Sequence, residues 1–220
     1  MSAPVVATRP VGTSRKRVSK IANAADTLAG FGHGTEVDVL TFGQFSIIDA
    51  IEAVLDITGP ASVTLATWTA AEFDLSQIEA QLLRARITDL RLIIDRSFVS
   101  RQPRFVGLIH DRFGADSVRS TRTHAKFVVI HNVEWSVVIR TSMNLNHNPR
   151  LEYMQVVDDT DLASMYLAVA DALFKEEPPG LENRRNVPEL VGVAGVEPSV
   201  PVRMGKTPRV GYAPRMGGPK

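Results

Sequence analysis

The chain has 220 residues, 44% of them hydrophobic, with 15 Gly and 13 Pro, which suits one domain with a real core plus flexible ends. It has no Cys, so disulfides and thiolate metal sites are excluded and a reducing, cytoplasmic setting is natural. The net charge of +1 hides an asymmetry: residues 1–20 and 203–220 each hold five basic and no acidic side chains, against 15 basic and 24 acidic in between.

Residues 1–20 mix Pro, Gly, Ser and Thr with charge and show no periodicity, so they are expected to be disordered. No apolar stretch follows their basic residues, which argues against a secretory signal, and no apolar run in the chain approaches the ~18 residues of a membrane span. Ile21 to Ala29 is Ala-rich enough for a short helix. Glu36 to Thr41 alternates as a strand does, and Phe45, Ile48, Ile51, Val54 and Leu55 recur at helical spacing until Gly59-Pro60 stops them. Ser62 to Trp68 is a β-branched strand. Asp74, with Gln77 three residues on, predicts a capped helix start ahead of Leu75, Ile78, Leu82 and Leu83. Leu90 to Asp95 reads as a strand, Arg104 to Phe113 as a helix and Ser117 to Thr121 as a short strand.

His124 to Ile130 and Ser136 to Ile139 read as two further strands, followed by Leu151 to Val157 and a helix over Leu162 to Lys175. Asp158, Asp159 and Asp161 precede that helix, where they would cap it and complement its dipole. Alternation of strands with helices predicts an α/β fold: a mixed, mostly parallel sheet with helices on both faces. Three regions follow: a basic, largely disordered N-terminal arm (1–33), the folded domain (34–177), and a Pro/Gly-rich basic C-terminal tail (178–220). Basic arms on an acidic body suit contact with a phosphate polymer such as DNA; two solubilising tails are the plainer reading.

The chemistry concentrates in His124-Ala125-Lys126 and Ser142-Met143-Asn144. Residues two apart on a strand share a face, so two neighbouring strands would bring an imidazole, an ammonium, a hydroxyl and an amide to one spot. That is a nucleophile or acid/base beside donors suited to a phosphate. An ammonium on an otherwise apolar strand is costly unless an anion meets it.

This pattern resembles the active-site half-motif of the phospholipase D superfamily: His-x-Lys, four residues, Asp, then Gly-Ser-x-Asn. His124, Lys126, Ser142 and Asn144 match it. His131 stands where the family has Asp, Thr141 where it has Gly, and the gap between the halves is longer. Glu152 looks like the family's acidic residue on the following strand, and the likeness covers roughly residues 35–175. The resemblance implies a metal-independent phosphodiesterase, with no cofactor. His124 would attack phosphorus to give a phosphohistidine, Lys126 and Asn144 would hold the non-bridging oxygens, Ser142 would support the phosphate or the histidine, and Glu152 would orient the imidazole. The family chemistry uses two such motifs and this chain has one, which implies a homodimer with both histidines in one pocket.

The departures at positions 131 and 141 keep a rival open: a catalytically inactive DNA-binding or structural protein on the same fold. A lipid phosphodiesterase is a third reading, and the absence of an amphipathic membrane-binding stretch speaks against it. His131, seven residues from His124, would point to the opposite strand face, so a zinc site shared by the two is not expected. Trp68 and Phe42, at strand ends beside the expected cleft, are candidates for stacking on a base, with core packing as the plainer role.

Overall fold

A computed structural model describes residues 13–19, 23–147, 149–181 and 188–194. Eight strands form one sheet: β1 (Thr13–Ser19), β2 (Thr35–Thr41), β3 (Ala61–Thr67), β4 (Ile87–Asp95), β5 (Val118–Thr121), β6 (Phe127–His131), β7 (Ser136–Thr141) and β8 (Glu152–Asp158). Their order is β1-β2-β8-β7-β6-β3-β4-β5. The helices are α1 (Ala24–Thr27), α2 (Ile47–Thr58), α3 (Glu72–Leu83), α4 (Ser97–Arg101), α5 (Pro103–Phe113) and α6 (Thr160–Glu176).

The sheet is mixed and covered on both faces, as expected. Only β6 and β8 run against the other six strands, yet each lies between two of them, so antiparallel pairings outnumber parallel ones by four to three. The expected parallel majority of pairings gives way because short connections join β6, β7 and β8, and short connections make antiparallel neighbours. Parallel pairs remain where helices form the crossovers, as between β3 and β4 through α3.

The apolar periodicities decide the layers. Ile48, Ile51, Val54 and Leu55 of α2, Leu75 and Ile78 of α3, and Phe105 and Ile109 of α5 bury against Val63, Leu65, Leu92, Val128, Ile130 and Ile139 of the sheet. On the opposite face Ala163, Ala170 and Leu173 of α6 cover Ile93, Phe127, Val129, Val138 and Val157. The β6 residues Phe127 to Ile130 are therefore buried on both faces, as a central strand requires. A capping box starts α2, with Ser46 accepting from the Asp49 amide and Asp49 accepting from the Ser46 amide. Gly59, at φ 72°, ends it in a conformation that favours glycine. Arg119, pushed below its ordinary value by burial, ties the start of β5 to the end of α6 by donating to the Phe174 carbonyl.

Five expectations shift. Residues 13–19, expected to be unstructured, form the edge strand β1 in parallel register with β2. The α3 helix starts at Glu72, so Asp74 lies inside its first turn rather than capping it. Of the three acidic residues expected at the start of α6, Asp159 caps it by accepting from the Leu162 amide and Asp161 lies in its first turn as expected, while Asp158 instead binds His33 and the amides of Gly34 and Ser136. Residues 188–194 lie at the end of α6, where the Glu176 carboxylate accepts from the amides of Glu189, Leu190 and Val191. Residues 23–33, placed in the disordered N-terminal arm by the sequence, carry α1 and bury Ala24, Leu28 and Phe31 in the core; apart from these, 13–19, 178–181 and 188–194, both basic arms fall outside the described residues. Among the described residues no helix is long and apolar enough to cross a membrane.

Candidate active site

One edge of the sheet gathers all of the candidate site residues. The six co-directional strands end there, and β6 and β8 begin there. The registers pair Ala66 with Phe127, Phe127 with Arg140, Thr141 with Met154, and Thr41 with Glu152. Trp68, His124, Lys126, Ser142, Asn144, Glu152 and Phe42 thus all lie at or just beyond this edge. Open α/β sheets bind ligands outside the carboxyl ends of their strands. His131 closes β6 at the opposite edge, paired with Ser136 and Ser62, so its identity bears on the far end of the strand.

His124 and Lys126 precede β6 rather than lying on it. The β3–β6 ladder ends at the Ala66–Phe127 pair, one residue before β3 itself stops at Thr67. The loop is pinned by other means. Asp95, the last residue of β4, accepts from the Thr123 amide at 3.0 Å, and the Thr123 hydroxyl accepts from the Ala125 amide at 3.0 Å. The Lys126 carbonyl accepts from the Thr141 amide at 3.3 Å. In this conformation Lys126 Nζ meets His124 Nδ1 at 3.3 Å and donates to the His124 carbonyl at 2.9 Å. The expected imidazole–ammonium pair is present, built by a loop instead of by strand alternation.

Thr141, where glycine was the family pattern, is buried, and its hydroxyl donates to the Tyr153 carbonyl at 2.7 Å while accepting from the Met143 amide at 3.0 Å. It thereby holds the turn that presents Ser142 and Asn144. Ser142 accepts from the Tyr153 amide at 3.0 Å and donates to Glu152 Oε2 in a short hydrogen bond. Ser142 is therefore committed to Glu152. Glu152 does not bond His124; it lies 3.9 Å from Arg150 Nε, and its charge acts on Lys126. Burial lowers the Lys126 ammonium below the ordinary lysine value, and Glu152 opposes that shift. The Asn144 side-chain oxygen is buried without a hydrogen-bond partner, an uncommitted polar group at the rim of the site.

Trp68 does reach the site: its ring lies 5.6 Å from that of His124, tilted by 50°. One face of the indole is already taken, by the Arg101 guanidinium 3.7 Å from the ring centre. Phe42, 48% exposed at the end of β2, remains open to solvent. Sequence reasoning passed over Asp95 and Arg101. The signal for Asp95 was its place at the carboxyl end of a strand; Arg101 offered none, because α4 is too short to show a pattern. Among the described residues no group of three or more His, Asp or Glu side chains is arranged to hold a metal ion.

No family model and no curated protein matches the sequence. Among solved structures, NucT from Helicobacter pylori aligns at 15% identity and TM-score 0.46 over 66% of this chain and 99% of its own. Polyphosphate kinase from Porphyromonas gingivalis aligns at 13% identity and TM-score 0.46 over 63% of this chain and 26% of its own. The chain also resembles a phospholipase D family member, Nuc from Salmonella typhimurium, at 16% identity and TM-score 0.46 over 67% of this chain and 98% of that one.

Proposed function

We propose that the protein is a metal-independent phosphodiesterase acting on nucleic acid, through a phosphohistidine on His124. The observation that supports this most is the Lys126–His124 pair at the strand ends, a cation within 3.3 Å of an exposed imidazole. An ammonium only donates, so the contact leaves the lone pair on Nδ1 and the proton on Nε2. An incoming phosphate draws Lys126 onto its non-bridging oxygens and frees Nδ1 to take the proton. The Nε2 lone pair then attacks phosphorus: the N–P bond forms, the P–O bond breaks, and the leaving oxygen takes a proton from the His124 imidazolium of a second copy. Water, deprotonated by that second imidazole, breaks the N–P bond and restores the first. Lys126 and the Asn144 amide stabilise the charge that builds on phosphorus oxygens. Glu152, held by Ser142, sustains the charge on Lys126; this replaces the direct hold on the imidazole that the family resemblance implies. The excess of basic residues near both ends of the sequence favours a polyanionic substrate.

One observation favours a second reading, a nucleic-acid-binding protein without catalysis. Glu152 is spent on Ser142 and Lys126, and among the described residues no carboxylate bonds the His124 imidazole itself. Incubation with plasmid, single-stranded DNA and a chromogenic phosphodiester in excess EDTA separates the two. Cleavage is expected, and His124→Ala is expected to reduce it by about 10⁴-fold or more. DNA binding without cleavage overturns the enzymatic reading, and cleavage abolished by EDTA overturns the phosphohistidine route.

A further inference from the structure

We propose that Arg101 forms a second phosphate subsite, which holds the linkage next to the one being cut, so that the substrate is a strand of several phosphodiesters rather than a single diester. The proposal rests on the phosphodiesterase reading and deepens it. Arg101 is exposed, yet its guanidinium is fixed at three points. It lies 3.7 Å from the centre of the Trp68 ring, its Nη2 donates to the Trp68 carbonyl at 2.8 Å, and its Nε donates to Ser97 Oγ at 3.0 Å. Two of its five N–H donors are thereby used, and among the described residues the others have no hydrogen-bond partner. Among the described residues no carboxylate forms an ion pair with it.

A fixed, uncompensated guanidinium is suited to a phosphate, because the fork is already oriented when the anion arrives. Its location ties it to the catalytic imidazole. Trp68 is shared between the two: its ring lies 5.6 Å from that of His124, and the Arg101 guanidinium lies 3.7 Å from its centre. Because both distances run to the same ring centre, the guanidinium and the imidazole lie within about 9 Å of each other, a reach on the order of one nucleotide step of an extended strand.

A second path joins the same two residues. Ser97, which receives the Arg101 Nε–H, bonds the Asp95 carboxylate through both its amide, at 2.9 Å, and its hydroxyl. The other oxygen of Asp95 accepts from Thr123 beside His124. One carboxylate therefore sets the guanidinium and the imidazole in a common frame, as two adjacent phosphates of one strand require.

The test compares Arg101→Ala and Arg101→Lys with the wild type on two substrates: a thymidine p-nitrophenyl phosphodiester, with one phosphate, and an oligothymidylate of eight nucleotides. Cleavage is followed on both, and oligothymidylate binding is followed by anisotropy across a salt series. Arg101→Ala is expected to raise KM for the oligomer about tenfold with kcat little changed, to leave the single diester unaffected, and to flatten the log-affinity against log-salt slope by about 0.7. Arg101→Lys, which keeps the charge without the fork, is expected to keep the slope and recover part of the affinity. Equal loss on both substrates would mean that Arg101 only props Trp68, and would overturn the subsite, as would no loss on either. A wild type that binds the oligomer and cleaves neither substrate would instead overturn the phosphodiesterase reading beneath it.

Discussion

Lys126 sets both the charge and the proton of this site, which makes its titration a direct probe. Burial lowers its pKa from the ordinary 10.5, and the Glu152 carboxylate pulls the other way. In the proposed mechanism affinity for a phosphodiester needs the ammonium, so it is expected to be present below the Lys126 pKa and lost as the pH rises through it. Glu152→Gln removes the opposing charge while keeping a hydrogen-bonding partner for Ser142. The alkaline loss of affinity is therefore expected to move to lower pH in the variant. Calorimetric titration with dimethyl phosphate, an ion that does not itself titrate in this range, measures the midpoint from neutral pH up to 10.5. Coincident midpoints in the two proteins would refute the charge coupling. Asp95 belongs to the same residue-scale logic but acts by position alone. It touches the loops that carry His124 and Arg101 through Thr123 and Ser97. Asp95→Ala is expected to lower kcat on single diester and oligomer by about 10- to 100-fold, as for other groups that orient a reacting side chain, and to raise KM for the oligomer as well because Ser97 loses its hold on Arg101. Its readout thus differs from the substrate-selective KM effect of Arg101→Ala.

At the scale of elements, α3 and the turn after β7 are joined by a carboxylate that is poorly served. Asp74 is 1% exposed, its Oδ1 has no partner, and an amide bond from His147 is among the few contacts that favour its charge. His147 in turn donates its Nε2–H to the Gly43 carbonyl at 2.8 Å. Burial raises the Asp74 pKa above 3.8, with nearby Asp49 adding to the shift. Because the folded protein holds this proton more tightly than the unfolded chain, the associated stability is fully present below pH 3.8 and is lost as the pH rises through the raised folded value. Asp74→Asn removes that loss. Thermal denaturation from about pH 4 to pH 7 is expected to show wild-type stability falling relative to the variant, and parallel curves would refute the assignment. The same residue shows why part of the molecule was hidden in the sequence. Asp74 with Gln77 has the pattern of a capping box, but the helix starts three residues further upstream because the Leu145 carbonyl accepts from the Ala71 amide and holds the chain there. That is a long-range contact, and no local pattern encodes it. The apolar rhythm of α2 and the double-sided burial of β6 were legible because they follow from composition within the element itself. Strand β1 was not, since Thr13 to Ser19 is mostly polar and becomes a strand only by pairing with β2. His124, Lys126, Ser142, Asn144 and Glu152 were legible as a group from motif spacing. Their wiring was not: it depends on where the β3–β6 ladder ends and on Tyr153 claiming Ser142.

At the scale of the whole molecule the question is how many chains complete one pocket. The proposed chemistry needs one imidazole to attack and another to protonate the leaving oxygen, and the edge of this sheet offers a single His-x-Lys. Of the other histidines of the described residues, His33 stacks on Trp135 at 3.7 Å, His110 accepts from the Leu181 amide, His131 lies at the far edge, and His147, on the same side of the sheet as the site, spends its Nε2–H on the Gly43 carbonyl. A shared pocket at a two-fold axis, with His124 supplied twice, meets the requirement. It also makes a quantitative demand. If both copies of His124 serve one reaction, a mixed dimer of wild-type and His124→Ala subunits is inactive. Activity per total protein then follows the square of the wild-type fraction, so an equal mixture retains about one quarter of full activity once subunits have exchanged, whereas independent sites retain about half. Co-expression of the two forms with different affinity tags, followed by assay of the purified mixed dimer, removes any dependence on exchange. An inactive mixed dimer is the expected result. A mixed dimer with half the wild-type rate, or a wild-type protein that sediments as a monomer under assay conditions while fully active, would place the second proton donor within a single chain.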